Sequence, residues 1–417
     1  MTATDATSPP SAALAPLKVA CVSVSAALGG SEWSLLEFAR RAAAHGIEAV
    51  VLLPKDGPLR EELARVGVRS GIAAAPADLL ALSQREMVSV GGAITLAVGL
   101  TAWSRAIARE SEHLLGRRSD VVYSNGFKAH LASILVRGPK HIWHLREFPP
   151  ERNANLWRVL VGAVPTAAIA NSRAVAEAWR MAGFAAPAVV LNGVDLERFK
   201  PGPRTFWLHD HLGIPHEARL VGMPAIFARW KGHLQVVEAF EKAAEELPDA
   251  HLILAGGAIY DTTAERGFAE ELVRRVGRSS MGGGAGPKLN DRIHFVKHMA
   301  EPWRLYPEFD VVVHFSTRPE PFGRVIAEAL ACGVPTIAAK DGGPLEIVED
   351  GVTGWLVPPA DTPALAAAMT RALTSDTTAM RAACRRDAEA RLSADRYAGE
   401  VARVLKAVAA PLPQPNG

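Results

Sequence analysis

At 417 residues and 49% hydrophobic content, the chain is long enough for two ordinary domains, each with its own core. A net charge of +2 neither invites nor forbids a polyanionic partner, and no nucleic-acid partner is expected. Three scattered cysteines, Cys21, Cys332 and Cys384, offer no metal spacing and no paired framework, and suit a reducing cytoplasm.

In chain order, residues 1–16 lack a basic start and an apolar core, so they read as a disordered leader and not a signal peptide. Strands are predicted at 18–24, 48–53, 120–124, 141–144, 166–170 and 189–192. A first helix is predicted over 32–44, with Ser31 as its cap and Gly46 as its stop. The apolar stretch 87–100 is too short to cross a bilayer, which needs about 20 residues. It reads as a buried helix, with a membrane-surface helix as the alternative. Phe199-Lys-Pro-Gly-Pro-Arg204 is the best boundary. Beyond it come strands at 219–223, 251–254, 292–296, 310–315 and 336–339. The glycine-rich segment 279–287 reads as a mobile loop; no Lys-Ser/Thr completes a P-loop there. Strands alternating with amphipathic helices predict an α/β protein with parallel sheets. Its expected domains are 17–200 and 201–392.

The most informative stretch is Pro319-Glu-Pro-Phe-Gly-Arg-Val-Ile-Ala-Glu328, which sets two carboxylates eight residues apart across a turn that opens a helix. Glu320 falls at the carboxyl end of a buried strand, where open α/β sheets place ligands. Glu328 falls about two turns into the helix, within reach of the other end of an elongated ligand. Between them, free N–H groups at the helix start suit an anion such as a diphosphate.

This motif, with Ala329-Leu-Ala-Cys-Gly-Val-Pro-Thr-Ile-Ala-Ala339, Asp341-Gly-Gly-Pro-Leu-Glu346 and Glu349-Asp-Gly-Val-Thr-Gly-Trp-Leu-Val-Pro358, resembles the retaining glycosyltransferases of family 4. The likeness is dense from 189 to 365 and thinner from 18 to 171. It implies the GT-B fold, two Rossmann-like domains whose parallel sheets face each other across a cleft. A last helix, about 393–410, is then expected to cross back onto the first domain. The first domain would take the acceptor and the second a nucleotide sugar.

The resemblance also implies roles. Lys231 matches a phosphate-binding lysine, and Glu328 a carboxylate that accepts both ribose hydroxyls. Glu320 matches the residue facing the donor sugar, helped by the N–H groups of Phe322 and Gly323. Gly342 and Gly343 resemble a second turn against sugar or phosphate, and Gly30 a turn against the diphosphate. His144 matches a histidine beside the transferred sugar. Asn125 and Lys128 are acceptor-side candidates. One departure stands out: relatives carry an arginine where this chain has Ile226. Two readings of Arg229 stay open, a replacement for that arginine or a solvent-facing residue.

No Asp-x-Asp occurs in the chain, so the usual metal-chelating device for a diphosphate is missing. Activity without divalent metal and without a cofactor is expected, the nucleotide sugar being a co-substrate. His209-Asp-His211 with His216 is not expected to hold a metal, since i and i+2 do not share a helix face. The function implied is transfer of a hexosyl unit to a hydroxyl of a glycan, lipid-linked or small-molecule acceptor in polysaccharide or cell-envelope synthesis. It would take place in the cytoplasm, with peripheral contact at the inner membrane face a further option. The alternatives are a phosphorylase or epimerase on the same scaffold, and a non-catalytic sugar-nucleotide-binding homologue.

Overall fold

The computed structural model describes residues 15–82, 86–149, 166–257, 267–278, 289–297, 299 and 301–410. Most of the expected leader and the glycine-rich segment 279–287 lie outside them. Among the described residues the strands form two sheets, every pairing parallel.

The first sheet contains β1 (Leu17–Ser23), β2 (Ile47–Leu53), β3 (Ser70–Ile72), β4 (Val121–Asn125), β5 (Lys140–Leu145), β6 (Ala167–Ala170) and β7 (Ala188–Val189). Their spatial order is β3-β2-β1-β4-β5-β6-β7. The second contains β8 (Arg219–Pro224), β9 (Ala250–Gly256), β10 (Ile293–Lys297), β11 (Val311–His314), β12 (Thr336–Ala339) and β13 (Gly354–Val357), in the order β10-β9-β8-β11-β12-β13. The central strands are apolar along their length because helices cover both faces; Val19, Val22, Val121 and Val312 are completely buried. Each sheet has a point where the strand order reverses, between β1 and β4 and between β8 and β11. The carboxyl ends of strands flanking such a point form the crevice in which this architecture holds ligands.

Two strands escape the sequence pattern. The edge strand β3 is three residues long, and β13 sits within a stretch read only as a motif. The first helix also differs from expectation. It runs over Gly30–Ala39, Gly29 is its N-cap without any side-chain cap bond, and Ser31 lies inside the first turn. The two glycines let the helix begin early, with no side-chain cap at Gly29 and with the buried Glu32 carboxyl in its first turn. A separate 3₁₀ turn, Ala42–His45, ends at Gly46 with φ +64°.

The apolar stretch 87–100 proves to be the start of a longer helix, Val90–Leu115, capped by Ser89. It is not buried all round. Leu100, Trp103 and Ile107 face the core, while Ile94 and Val98 remain 63% and 66% exposed. Among the described residues no helix is long and apolar enough to cross a membrane.

The last helix, Ala394–Ala409, packs on the first sheet's side. Tyr397, Ala398, Val401 and Leu405 share one core with Leu35, Leu36 and Phe38. Its entry is tied to the inter-sheet connection, where Ala394 N–H donates to Val194 O at 2.9 Å and Val194 N–H to Leu392 O at 2.8 Å. Phe199, in the proline-rich break, is buried against Trp303 and Tyr306 in the second sheet's core.

Candidate active site

The two reversal points border one cleft of about 470 Å³. From the first sheet it receives Gly29 and Gly30, Arg146, Asn171 and Asn192; from the second, Ile226, Lys231, Glu320, Phe322, Gly323, Arg324 and Glu328.

Glu320 follows β11, and its Oε2 accepts from Lys231 Nζ at 2.7 Å and from Ser316 Oγ at 3.1 Å. His314 Nε2 stands 3.2 Å away. Burial opposes ionisation of this carboxyl, but Lys231 and His314 outweigh it and hold the group well below the usual carboxylate range. Lys231 ends a short turn after β8, its ammonium 4.0 Å from the centre of the Trp230 ring.

Gly323, at φ +94°, turns the chain into the helix Arg324–Ala331. Only glycine adopts that conformation without strain. Glu328 lies one turn beyond Arg324, with Oε2 accepting from the Tyr306 hydroxyl at 2.5 Å and Oε1 2.8 Å from Arg324 Nε. Burial raises its pKa, opposed by Arg324 and Tyr306.

The glycines at 342 and 343 pack against the Glu320 loop. They are not among the residues lining the cleft. A Cβ on Gly342 would stand 2.3 Å from Glu320 O, and one on Gly343 2.5 Å from Phe322 Cα. Gly343 N–H donates to Glu320 O at 2.7 Å. This turn buttresses the Glu320 loop from behind.

Three other candidates sit away from the cleft surface. Arg229 turns outward, its guanidinium 2.6 Å from Glu271 and over the Phe268 ring, so it supplies no second cation in the cleft. Lys128 Nζ donates to the Leu80 carbonyl. His144 is completely buried, bonded through Nδ1 to the Tyr123 hydroxyl, and burial together with nearby Arg146 holds its pKa well below the usual value. Asn125 is buried too, and it links two loops of the first-sheet wall: its Nδ2 donates to Ser31 O at 3.3 Å and its Oδ1 accepts from Arg146.

Sequence reasoning missed Arg146. It lines the cleft, donates to Asn125, Asn192 and Tyr397, and lies 3.2 Å from His144 Nδ1. The signal was present: Arg146 is the first residue beyond β5, at the same strand end as His144. Tyr306 and His314, which grip the two carboxylates, were also missed.

Two facing parallel α/β sheets with one cleft between their reversal points define a GT-B protein. The family Glycosyltransferase Family 4 matches residues 28–198, and the family Glycosyl transferases group 1 matches residues 208–391. The chain belongs to the GT-B glycosyltransferases of family 4. Among solved structures, HepE from Anabaena is similar over 94% of this chain and 99% of its own, at TM-score 0.76 and 26% identity, in a complex with UDP and glucose. The same protein with UDP-glucose gives TM-score 0.77 at 25% identity, covering 94% of this chain and 100% of its own. Among curated relatives, the D-inositol 3-phosphate glycosyltransferase of Mycolicibacterium gilvum is 34% identical over 40% of this chain and 35% of its own length. That of Corynebacterium urealyticum is 31% identical over 45% and 43% respectively. The match thus spans less than half the length of those curated relatives.

Proposed function

We propose that the chain is a retaining, metal-independent hexosyltransferase that moves a sugar from a nucleoside diphosphate to an acceptor hydroxyl. The observation that carries this reading is the arrangement of Glu320, Lys231 and Glu328 around the start of one helix in the cleft. An ammonium and two helix starts without an N-cap side chain suit the negative charge that builds on a departing diphosphate. Glu328, with one edge held by Tyr306, is placed to accept ribose hydroxyls. Glu320 is tied to Lys231 as a carboxylate, which suits hydrogen bonding to sugar hydroxyls and not proton abstraction. In this reading the acceptor attacks from the face the diphosphate leaves, and its proton passes to the departing phosphate oxygen. No covalent glycosyl-enzyme forms.

HepE, solved with UDP-glucose, makes that compound the first donor to try. Our reading of the acceptor is a growing polysaccharide or envelope glycan, met at the cytoplasmic membrane face. The exposed Ile94 and Val98 support peripheral contact there. The experiment is a panel of UDP-, GDP- and ADP-sugars, each with and without acceptors, read by mass spectrometry for nucleoside diphosphate release and a new anomeric bond. Release that continues unchanged in EDTA, with the donor's anomeric configuration retained in the product by proton NMR, is the expected result. Turnover that vanishes with EDTA and returns with magnesium contradicts the metal-free mechanism. Nucleotide binding without turnover on any acceptor favours a non-catalytic homologue, the reading to which the uncharged Ile226 lends weight.

A further inference from the structure

The donor reading leaves a charge deficit. A nucleoside diphosphate presents two or more negative charges, while Lys231 is already held by Glu320 at 2.7 Å. Of the other groups at the cleft, Ile226 carries no charge, Arg146 is held by Asn125, Asn192 and Tyr397, Lys297 lies at the end of the edge strand β10, and Arg229 is paired outside it.

Arg324 stands where that deficit falls. It opens the helix Arg324–Ala331, lines the cleft, and keeps 12% of its side chain exposed. Its Nε is 2.8 Å from Glu328 Oε1, yet the Nε–H itself is aimed at no acceptor. Nη1 makes only a long contact, 3.4 Å, with the Gly193 carbonyl. Across the cleft, a Cβ on Gly30 would lie 3.8 Å from Arg324 Cδ. The side chain therefore runs beside the Gly30 turn, with its guanidinium reaching toward the Gly193 carbonyl.

We propose that Arg324 is the second cation of the donor site and binds the diphosphate oxygens in place of an arginine at position 226. The proposal rests on the donor reading above. A planar guanidinium matches two phosphate oxygens at once, which a lysine does not. Its present partner is one helical turn away, so a small side-chain rotation frees it. Ribose hydroxyls donating to Glu328 would supply the compensation for that move.

The test is calorimetric titration of UDP and UMP, or the GDP/GMP or ADP/AMP pair if that is what the wild type binds, into wild type, Arg324→Met and Arg324→Lys. Arg324→Met should reduce the preference for diphosphate over monophosphate tenfold or more, and Arg324→Lys should recover part of it. Unchanged melting temperatures show that the variants are folded. Equal weakening of both nucleotides overturns the proposal, because it places Arg324's effect on the ribose side through Glu328. Unchanged affinity for both overturns it as well. A folded wild type that binds no nucleoside diphosphate refutes the donor reading itself, a result distinct from either.

Discussion

At the scale of single residues, the cleft separates into charges that must be present and charges that must be held. Glu320 is ionised because Lys231 and His314 overcome its burial. Replacing Lys231 with alanine removes the cation and leaves Glu320 buried beside His314 and the Ser316 hydroxyl. We expect Lys231→Ala and Glu320→Gln each to lower kcat at least about a hundredfold, the loss typical of one preorganised electrostatic group, while the fold is kept. Near-wild-type rates in either variant would refute the assignment. Glu328 is different on the proposed reading, because contacts to a donor ribose would be the same in ground and transition states. Glu328→Gln should therefore raise the donor KM about tenfold with a smaller effect on kcat, and steady-state kinetics with varied donor will show the split. Glu320 and Glu328 were legible because their spacing survives as a linear motif, and Lys231 was reached only through the resemblance. Arg146 and Tyr306 were not legible, because they act through neighbours distant in sequence; His314 was not, because one histidine at the end of an apolar strand carries no signature of its own.

Elements hold these residues through contacts between segments. The Glu320 loop rests on the turn at Gly342, whose φ of +67° and 2.3 Å clearance leave no room for a methyl group. Gly342→Ala should cost about 1–3 kcal/mol of backbone strain, lower the melting temperature and weaken nucleotide binding. A variant that melts and binds like wild type would show that the turn yields freely. The crossing helix Ala394–Ala409 reaches the site through Tyr397, whose hydroxyl accepts from buried Arg146 at 2.8 Å. Tyr397→Phe leaves that donor unpaired, a cost of about 1–3 kcal/mol, and thermal melting should register it. Unchanged stability would mean that Arg146 finds another acceptor. The long helix Val90–Leu115 shows why the stretch 87–100 was misjudged. Composition gave its apolar content, but only packing decided that Ile94 and Val98 would face outward.

For the whole molecule, acid is the revealing stress. His130, His233 and His251 are held neutral mainly by burial, with pKa values pushed down to about 3, about 4 and about 4, and His144 is also held well below its usual value. In the unfolded chain these groups take up protons below pH ~6.5, so the unfolded state binds more protons and stability falls with falling pH. Each group contributes up to about 1.4 kcal/mol per pH unit in that window. The depressed Glu320 adds a loss only below the ordinary carboxylate range, near 4.5, while Glu32, Glu147 and Glu328, raised by burial, act in the opposite sense and offset part of the histidine effect. The melting temperature should thus drop steadily between pH 6.5 and 4.5. A flat profile there, with collapse only below pH 4, would show that the histidines are not buried as described. Closure of the two halves over a donor would exclude water from the activated sugar. The side-by-side reversal points make that arrangement available.

By itself the sequence determined the alternation of strands and helices, the two sheets and the carboxylate pair, because burial periodicity and turn chemistry are local. It also placed a last helix at the chain's end through resemblance. Only the tertiary structure decided that Arg229 turns away, that His144 lies behind Arg146, that Gly342 and Gly343 support a loop, and that Arg324 faces Gly30. Those outcomes depend on which segments meet across the cleft, and no spacing along one strand or helix encodes the direction of a side chain toward a distant partner.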